Sequence, residues 1–193
     1  MKRSTALYKL AALALVAAVP FAASAQDSGS SGLSYNYAQG GYVSTNTDAG
    51  DADGWGVGGS VAVHPNVHLF GNYAKQDIDN TNLDFDQWRA GVGFNTSISP
   101  KADFVANVAY EKYDFGQGYD ADGYSAEAGV RAALAPKFEG YAMLGYEDGN
   151  DFDGDAYGRL GGTVKFNQTW GINADVKFAD GDTQYFVGPR ISW

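Results

Sequence analysis

The stretch QWRAGVGFN, residues 87–95, alternates apolar with polar or small side chains along its whole length. Trp88, Ala90, Val92 and Phe94 fall on one side of an extended chain, and the intervening residues fall on the other. A period of two residues is typical of a β-strand whose two faces meet different environments. Because similar alternation recurs along the chain in nine further segments, the sequence predicts an all-β protein.

These segments have the length and spacing of strands in a membrane barrel. Each is close to the roughly 9 to 11 residues that a tilted transmembrane strand needs. Short and long connections alternate, as they do between the periplasmic turns and outer loops of bacterial barrels. We therefore predict a transmembrane antiparallel up-and-down β-barrel of ten strands, with eight as the alternative because Gly40 and Gly41 blur the first segment and the ninth is short. The predicted strands are 33–44, 55–64, 67–77, 85–96, 102–113, 123–134, 138–148, 157–167, 170–178 and 184–193.

Aromatic residues separate a membrane barrel from a soluble β-sandwich, which also alternates. A sandwich would concentrate its aromatic side chains in the middle of the strands, whereas membrane barrels carry aromatic belts at both interfaces. Here the aromatics of the apolar face lie at the strand ends, with small aliphatic residues between them, which favours the membrane barrel. The long-loop ends carry Trp55, Tyr73, Trp88, Tyr110, Tyr124, Tyr146, Phe178 and Tyr185, and the short-turn ends carry Phe94, Phe104, Phe138, Phe166, Trp170 and Trp193.

The N-terminal residues have the pattern of a secretory leader. Three basic residues precede an apolar segment, Leu10–Val19, that is too short to span a bilayer, and Ala23–Ala25 form a small-residue cleavage site. We expect a signal peptide at 1–25 and an outer-membrane barrel at 26–193, which together place the protein in a bacterial outer membrane.

The charge balance argues against a nucleic-acid partner. The chain has 23 Asp and Glu against 13 Lys and Arg, and loss of the basic leader makes it more acidic still. Such a chain is not drawn to phosphate backbones by its net charge. The absence of cysteine excludes disulfides, thiol nucleophiles and cysteine metal ligands.

The predicted inward face carries nearly balanced charges. Counting across the connections places Arg89 near Glu111 and Glu139 near Lys165. Because an unpaired ion in a confined interior is costly, we predict a lumen plugged by paired charges, with a narrow diffusion channel as the alternative. The predicted lumen charges are Arg89, Glu111, Glu127, Arg131, Glu139, Glu147, Arg159, Lys165, Asp175, Lys177 and Arg190.

The outer loops and the histidines offer weaker indications of ion binding. The Asp-Ala-Asp-Gly sequence at 51–54 and 120–123 suggests calcium, but turn chemistry and solvation are the preferred interpretation. His64 and His68 flank a short turn without a third ligand nearby, so we predict no metal and no cofactor there. Because both histidines lie at the periplasmic end, an outer-membrane hydrolase is a distant alternative.

Two further sets of residues point to partners in the envelope. Lys75 and Lys112 lie on the outward face near the loop ends, where they are predicted to contact lipopolysaccharide phosphate or to reach the membrane rim. Gly188, Ile191 and Trp193 have the spacing of the C-terminal signal that the barrel-assembly machinery recognises. Anchoring by Trp193 at the interface is the simpler alternative.

Several runs of sequence resemble one known family over essentially the whole mature chain. They are 32–37 (GLSYNY), 50–55 (GDADGW), 68–71 (HLFG), 84–89 (DFDQWR), 123–129 (GYSAEAG) and 187–190 (VGPR). The chain is similar in these runs to the activator-of-Xa-mediated-immunity proteins, small outer-membrane barrels also named for regulation by a diffusible signal factor. The resemblance implies a non-enzymatic outer-membrane barrel and supplies no catalytic motif. The function we expect is a structural role or a surface interaction with an unidentified ligand.

Overall fold

The computed structural model describes residues 31–47, 50–79, 81, 83–116, 120–150 and 154–193. Ten strands in these residues form one closed antiparallel barrel. The described residues contain no helix that is long and apolar enough to span a bilayer. The strands are β1 (Tyr37–Thr47), β2 (Gly50–His64), β3 (Val67–Ile78), β4 (Asp84–Ser99), β5 (Ala102–Asp114), β6 (Asp120–Ala135), β7 (Phe138–Gly149), β8 (Asp155–Lys165), β9 (Trp170–Ala179) and β10 (Asp182–Ser192).

The barrel closes by pairing its first and last strands. Each strand lies beside its sequence neighbours, and β10 returns to β1, with Tyr37 opposite Ser192 at one end and Asn46 opposite Thr183 at the other. Closure satisfies the backbone without leaving an exposed edge, which is the condition for crossing a membrane with strands. The prediction of ten strands is confirmed, and the alternative of eight is wrong.

The outer surface has the apolar band that the alternation predicts. Val92, Val108 and Leu144 point outward from the middle of their strands, and Leu144 is 77% exposed. The predicted belt aromatics also lie on this surface. Tyr73 packs between Trp55 and Trp88, with ring centroids 5.4 and 4.4 Å away. An apolar band bounded by aromatic rings identifies a transmembrane barrel rather than a soluble one.

The strand boundaries differ from the prediction mainly at the outer end. The Asp-Ala-Asp-Gly sequences at 51–54 and 120–123 are paired parts of β2 and β6, so the interpretation as turn chemistry is wrong. A side chain at Gly54 would collide with the Lys75 carbonyl oxygen of the neighbouring strand. Glycine is therefore required there for close strand packing rather than for a reversal.

The first strand begins later than predicted. It was expected at 33–44 and is found at Tyr37–Thr47, and residues 31–36 have no strand structure. Ser31, Leu33, Tyr35 and Asn36 are all buried although they precede the barrel wall. The chain therefore enters the barrel before it joins the wall at β1.

The seam between β1 and β10 depends on two glycines. A Cβ atom at Gly188 would collide with the Gly40 carbonyl oxygen, and one at Gly41 would collide with the Val187 carbonyl oxygen. The two closing strands thus approach each other through backbone atoms. This contact gives Gly188 a structural role that is independent of any recognition signal.

We expect Gly188→Ala to destabilise the folded barrel by about 1 to 3 kcal/mol, because the added methyl group must push the closing strands apart. The measurement is urea unfolding in detergent micelles, followed by the shift of the folded band on unheated gels. The matched control is Gly158→Ala, since a Cβ atom at Gly158 meets only Leu144 at 3.9 Å. Equal stability of the two variants would contradict the tight seam.

Candidate functional site in the lumen

All eleven predicted lumen charges are on strands whose side chains at those positions face the interior, and each is buried or half-buried. The structure adds Asp103, which is 2% exposed and was not among the predicted lumen charges. With Asp103 included, the described lumen charges comprise six acidic and six basic side chains. Asp103 shares the inward phase of Glu111 on β5, so extending the alternation to the start of the strand would have found it.

The central network is organised around Arg89. Its Nε atom lies 3.1 Å from Glu111 Oε1, and its Nη2 atom lies 3.4 Å from Glu127 Oε1. The Ser125 hydroxyl donates to Glu111 at 2.5 Å, and the Tyr157 hydroxyl donates to Glu127 at 3.0 Å. The predicted proximity of Arg89 and Glu111 is confirmed, and the second carboxylate makes Arg89 a bridge between three strands.

A second basic side chain extends this network to the far wall. Arg159 donates from Nε to both oxygens of Asp175, at 2.9 and 3.0 Å, and its Nη1 atom lies 3.8 Å from Glu127. The Tyr141 hydroxyl also donates to Asp175. Above it, Lys177 and Glu147 form a pair at 2.5 Å. Opposite charges therefore follow one another around the inner wall.

The inner end of the lumen contains a separate cluster. Glu139 accepts a hydrogen bond from Arg131 at 2.6 Å and also pairs with Lys165, as the sequence predicted. Arg190 donates to Gln39 at 2.9 and 2.5 Å and lies 4.0 Å from the ring centroid of Tyr37. Arg190 is thus held by an amide and an aromatic face rather than by a carboxylate.

Residues 31–36 fill the inner end of the lumen and were missed as lumen residues. Leu33 is 2% exposed and packs with Val105 and Met143 in an apolar cluster. Ser34 donates to the Trp193 carbonyl oxygen at 3.0 Å, and the Trp193 amide donates to the Asn36 carbonyl at 3.2 Å. The segment, which we call the inner plug, is therefore tied to the C-terminal residue.

Tyr35 fixes the inner plug through contacts with three strands. Its hydroxyl donates to Asp103 at 3.0 Å, and its ring stacks on His68 with centroids 4.7 Å apart. Arg131 lies 4.9 Å from the Tyr35 ring centroid and donates to the Ser34 carbonyl at 2.8 Å. Burial raises the pKa of Tyr35, and the Asp103 carboxylate adds to the increase while Arg131 opposes it. Tyr35 therefore stays a neutral donor.

One feature of the sequence conflicts with the predicted first strand. Leu33 and Tyr35 have the same phase as Gln39, whose side chain faces the polar lumen. A strand beginning at 33 would therefore point a large apolar side chain into the interior at its end. Inward apolar residues also occur within strands, as at Val105 and Met143, so the phase of Leu33 alone could not have shown that the segment leaves the wall.

The outward lysines are already paired with aspartates on neighbouring strands. Lys75 contacts Asp84 and lies 3.5 Å from Asp86, and Lys112 lies 2.8 Å from Asp120. A lipid phosphate would have to share these cations with carboxylates. Contact of Lys75 and Lys112 with lipopolysaccharide stays a prediction.

The described residues contain no group of three or more His, Asp or Glu side chains that could hold a metal ion. His68 is buried beneath Tyr35, 3.2 Å from the Asn95 amide oxygen, whereas His64 is exposed at the turn. Asp48, Asp151 and Asp153, which belong to the acidic loops considered for calcium, lie outside the described residues, as does the predicted signal peptide.

Comparison with known proteins finds similarity to solved structures alone. No family model and no curated protein matches the chain. Among solved structures, it is similar to the KdgM porin (12% identity, TM-score 0.46, covering 81% of this chain and 99% of that one). It is also similar to Neisserial surface protein A (13%, 0.42, covering 83% and 98%) and to the translocator domain of the autotransporter NalP from Neisseria meningitidis (12%, 0.44, covering 97% and 96%).

Removal of Arg89 should expose the cost of an unpaired buried charge. We expect Arg89→Ala to destabilise the barrel by about 3 kcal/mol, because Glu111 and Glu127 both lose a cation. The double variant Arg89→Ala with Glu111→Ala should recover only part of this loss, since Glu127 remains. Urea unfolding of the single and double variants gives the coupling energy. If the losses of unfolding free energy in Arg89→Ala and in Glu111→Ala add up to the loss in the double variant, the pairing is contradicted.

Proposed function

We propose that this chain is a closed, non-conducting barrel of the bacterial outer membrane, with a structural or surface-interaction role and membership of the activator-of-Xa-mediated-immunity family. The observation that carries the proposal is the filled lumen: the inner plug occupies one end, and a neutral network of ion pairs occupies the middle. A barrel that serves diffusion needs a continuous wet path, whereas these side chains contact one another across the interior.

The energetics of the network favour closure. Arg89 is 11% exposed and Glu111 is 3% exposed, so little water screens either charge. Separating such a pair to pass a solute would leave a desolvated ion without its partner, which is costly. The inner plug adds apolar burial at Leu33, which a water-filled path would lose. Both the ion-pair network and the inner plug would have to rearrange before the lumen could conduct.

The distribution of charge supports a role for the outer surface. Because the lumen is neutral, the negative charge of the protein is concentrated at the outer strand ends and loops. Asp53, Asp77 and Asp84 lie directly opposite one another on adjacent strands. The outer aspartates among the described residues are Asp51, Asp53, Asp77, Asp79, Asp84, Asp86, Asp114, Asp120, Asp122, Asp148, Asp155, Asp180 and Asp182.

The envelope partners follow from the outer wall. We propose that outer-membrane lipid covers the apolar band and aromatic belts, and that lipopolysaccharide phosphates share Lys75 and Lys112 with the aspartates paired to them. The barrel-assembly machinery would insert the exported chain, and no catalytic activity forms part of the proposal. A hydrolytic assay on the purified barrel tests the distant hydrolase alternative. Hydrolysis faster than that of a denatured sample would support the hydrolase.

We expect the purified protein to give no stepwise current in planar bilayers in molar potassium chloride. The double variant Leu33→Ala with Tyr35→Ala should increase ion leakage, because it removes the side chains that hold the inner plug. The matched control is Leu144→Ala, which also shortens a leucine but on the outward face. Regular channel openings by the unaltered protein would overturn the proposal in favour of the narrow diffusion channel.

A cellular test separates the structural role from surface interaction. Deletion of the gene should make cells more permeable to large antibiotics if the barrel has a structural role. A variant whose outer aspartates at 51, 53, 77 and 84 are replaced by asparagine should restore the envelope in that case. If the unaltered protein restores the permeability barrier and this variant does not, the role belongs to the outer surface.

Deletion of Trp193 tests the predicted assembly signal. We expect the exported variant to accumulate unassembled in the periplasm, and yet to refold in detergent with a modest loss of stability because the Trp193 contacts with the inner plug are lost. The measurement is outer-membrane yield compared with refolding yield, with Trp170→Ala as a belt-aromatic control. Normal yield in the outer membrane would leave Trp193 as an anchor only.

A further inference from the structure

The middle of the lumen contains a cavity beside the ion pairs. The centre of a water molecule can occupy about 80 Å³ of it, which is room for several waters. The wall contains side chains from both halves of the barrel, so the space lies across the lumen rather than in a surface groove. The lining residues that bear on its chemistry are Gln39, Asn72, Gln184, Phe186, Arg159 and Asp175.

The charged groups of this wall are already committed to one another. Arg159 makes two hydrogen bonds with Asp175, and Lys177 is paired with Glu147. A charged solute would have to break such a pair and desolvate both partners. The cavity therefore disfavours anions and cations even though ionised side chains line it.

The amide groups of the wall retain free hydrogen-bonding capacity. The backbone of Asn72 pairs within the sheet, but its side chain makes no hydrogen bond to a described residue and lines the cavity. Gln39 uses its oxygen to accept from Arg190, which leaves its NH₂ group free. Gln184 donates from Nε2 to Thr45 and Gln87, which leaves its oxygen free. The free groups thus include both donors and acceptors.

One aromatic ring completes the wall. Phe186 lies on β10 and faces the lumen opposite the Asp175 register position. Pockets for small molecules combine apolar or aromatic surface with a few polar groups that fix orientation. A ring beside free amide donors and acceptors suits a molecule that has both C–H faces and hydroxyl groups.

We propose that this cavity is a binding site for a small, neutral, polyhydroxylated molecule of about monosaccharide size. Hydroxyl groups both donate and accept, so one such ligand can satisfy Gln39 and Asn72, which lie opposite Gly58 on either side of β2, without disturbing the ion pairs. Arg89 and Arg159 of the ion-pair network line the site, and Gln87 and Gln184 line the side nearer the outer strand ends. The site rests on the proposed closure, because an open barrel would transmit such a solute rather than retain it.

A chain of hydrogen bonds between side chains crosses the lumen beside this site. Gln184 on β10 donates to Gln87 on β4 at 3.0 Å, and these strands are separated by β1, β2 and β3. Gln87 in turn donates to the Tyr113 hydroxyl at 3.3 Å. Entry therefore requires the exchange of one amide hydrogen bond, which is a small barrier compared with opening an ion pair.

The test uses the full mature barrel refolded in detergent, with D-glucose as the probe and glycine as a zwitterionic comparison. Saturation-transfer NMR should show binding of D-glucose and none of glycine. Asn72→Leu should weaken the affinity about tenfold, as expected for one to two lost hydrogen bonds. Asn173→Leu is the matched control, since Asn173 is buried in the lumen but does not line the cavity.

Each outcome has a distinct meaning. Absence of D-glucose binding, binding of glycine alone, or equal weakening by both leucine variants when both fold would overturn the site. Swelling of proteoliposomes in isotonic D-glucose would instead contradict the closed barrel, because it reports passage and not retention. Binding without swelling is the expected result, and a binding failure without swelling leaves the proposed closure intact.

Discussion

A closed barrel of this size must place every second side chain of ten strands into one narrow interior. Many of these side chains are charged, and the rest of the structure depends on how the charges are paired. Arg89 bridges Glu111 and Glu127, and Arg159 links Glu127 to Asp175. The N–O distances in these pairs are 2.9 to 3.8 Å, so each of these charges has an oppositely charged neighbour. Asp103 brings the lumen to neutrality. The protein can therefore carry its large negative charge entirely on its surfaces, chiefly the outer one.

The inner plug couples the two ends of the chain to this network. Arg131 binds Glu139 on β7, the Ser34 carbonyl and the Tyr35 ring, so one guanidinium connects the ion pairs to the plug. The Trp193 backbone binds residues on either side of Tyr35. Closure of the barrel seam and filling of the inner end of the lumen are thus parts of one arrangement.

Alternation and connection length were sufficient to predict ten strands, their phase and two ion pairs, because a strand places its side chains with a fixed period. The limits of β1 were not predictable in the same way. Residues 33–36 alternate like a strand, and only their lack of strand pairing, together with the contacts of Tyr35 to three strands, shows that they leave the wall. The Asp-Ala-Asp-Gly motifs were assigned to turns from composition, but pairing across strands extends β2 and β6 through them. Local propensity was overridden there by the sheet.

Thiol protection tests the position of the inner plug most directly, because the protein has no cysteine of its own. Leu33→Cys should resist a membrane-impermeant maleimide in the folded barrel and react fully after unfolding, since Leu33 is 2% exposed. Ser99→Cys, at the exposed end of β4 on the same side of the barrel, should react in both states. Labelling of folded Leu33→Cys as fast as folded Ser99→Cys would show that residues 31–36 lie outside the lumen, and would contradict the account of a barrel closed by its own N-terminal segment.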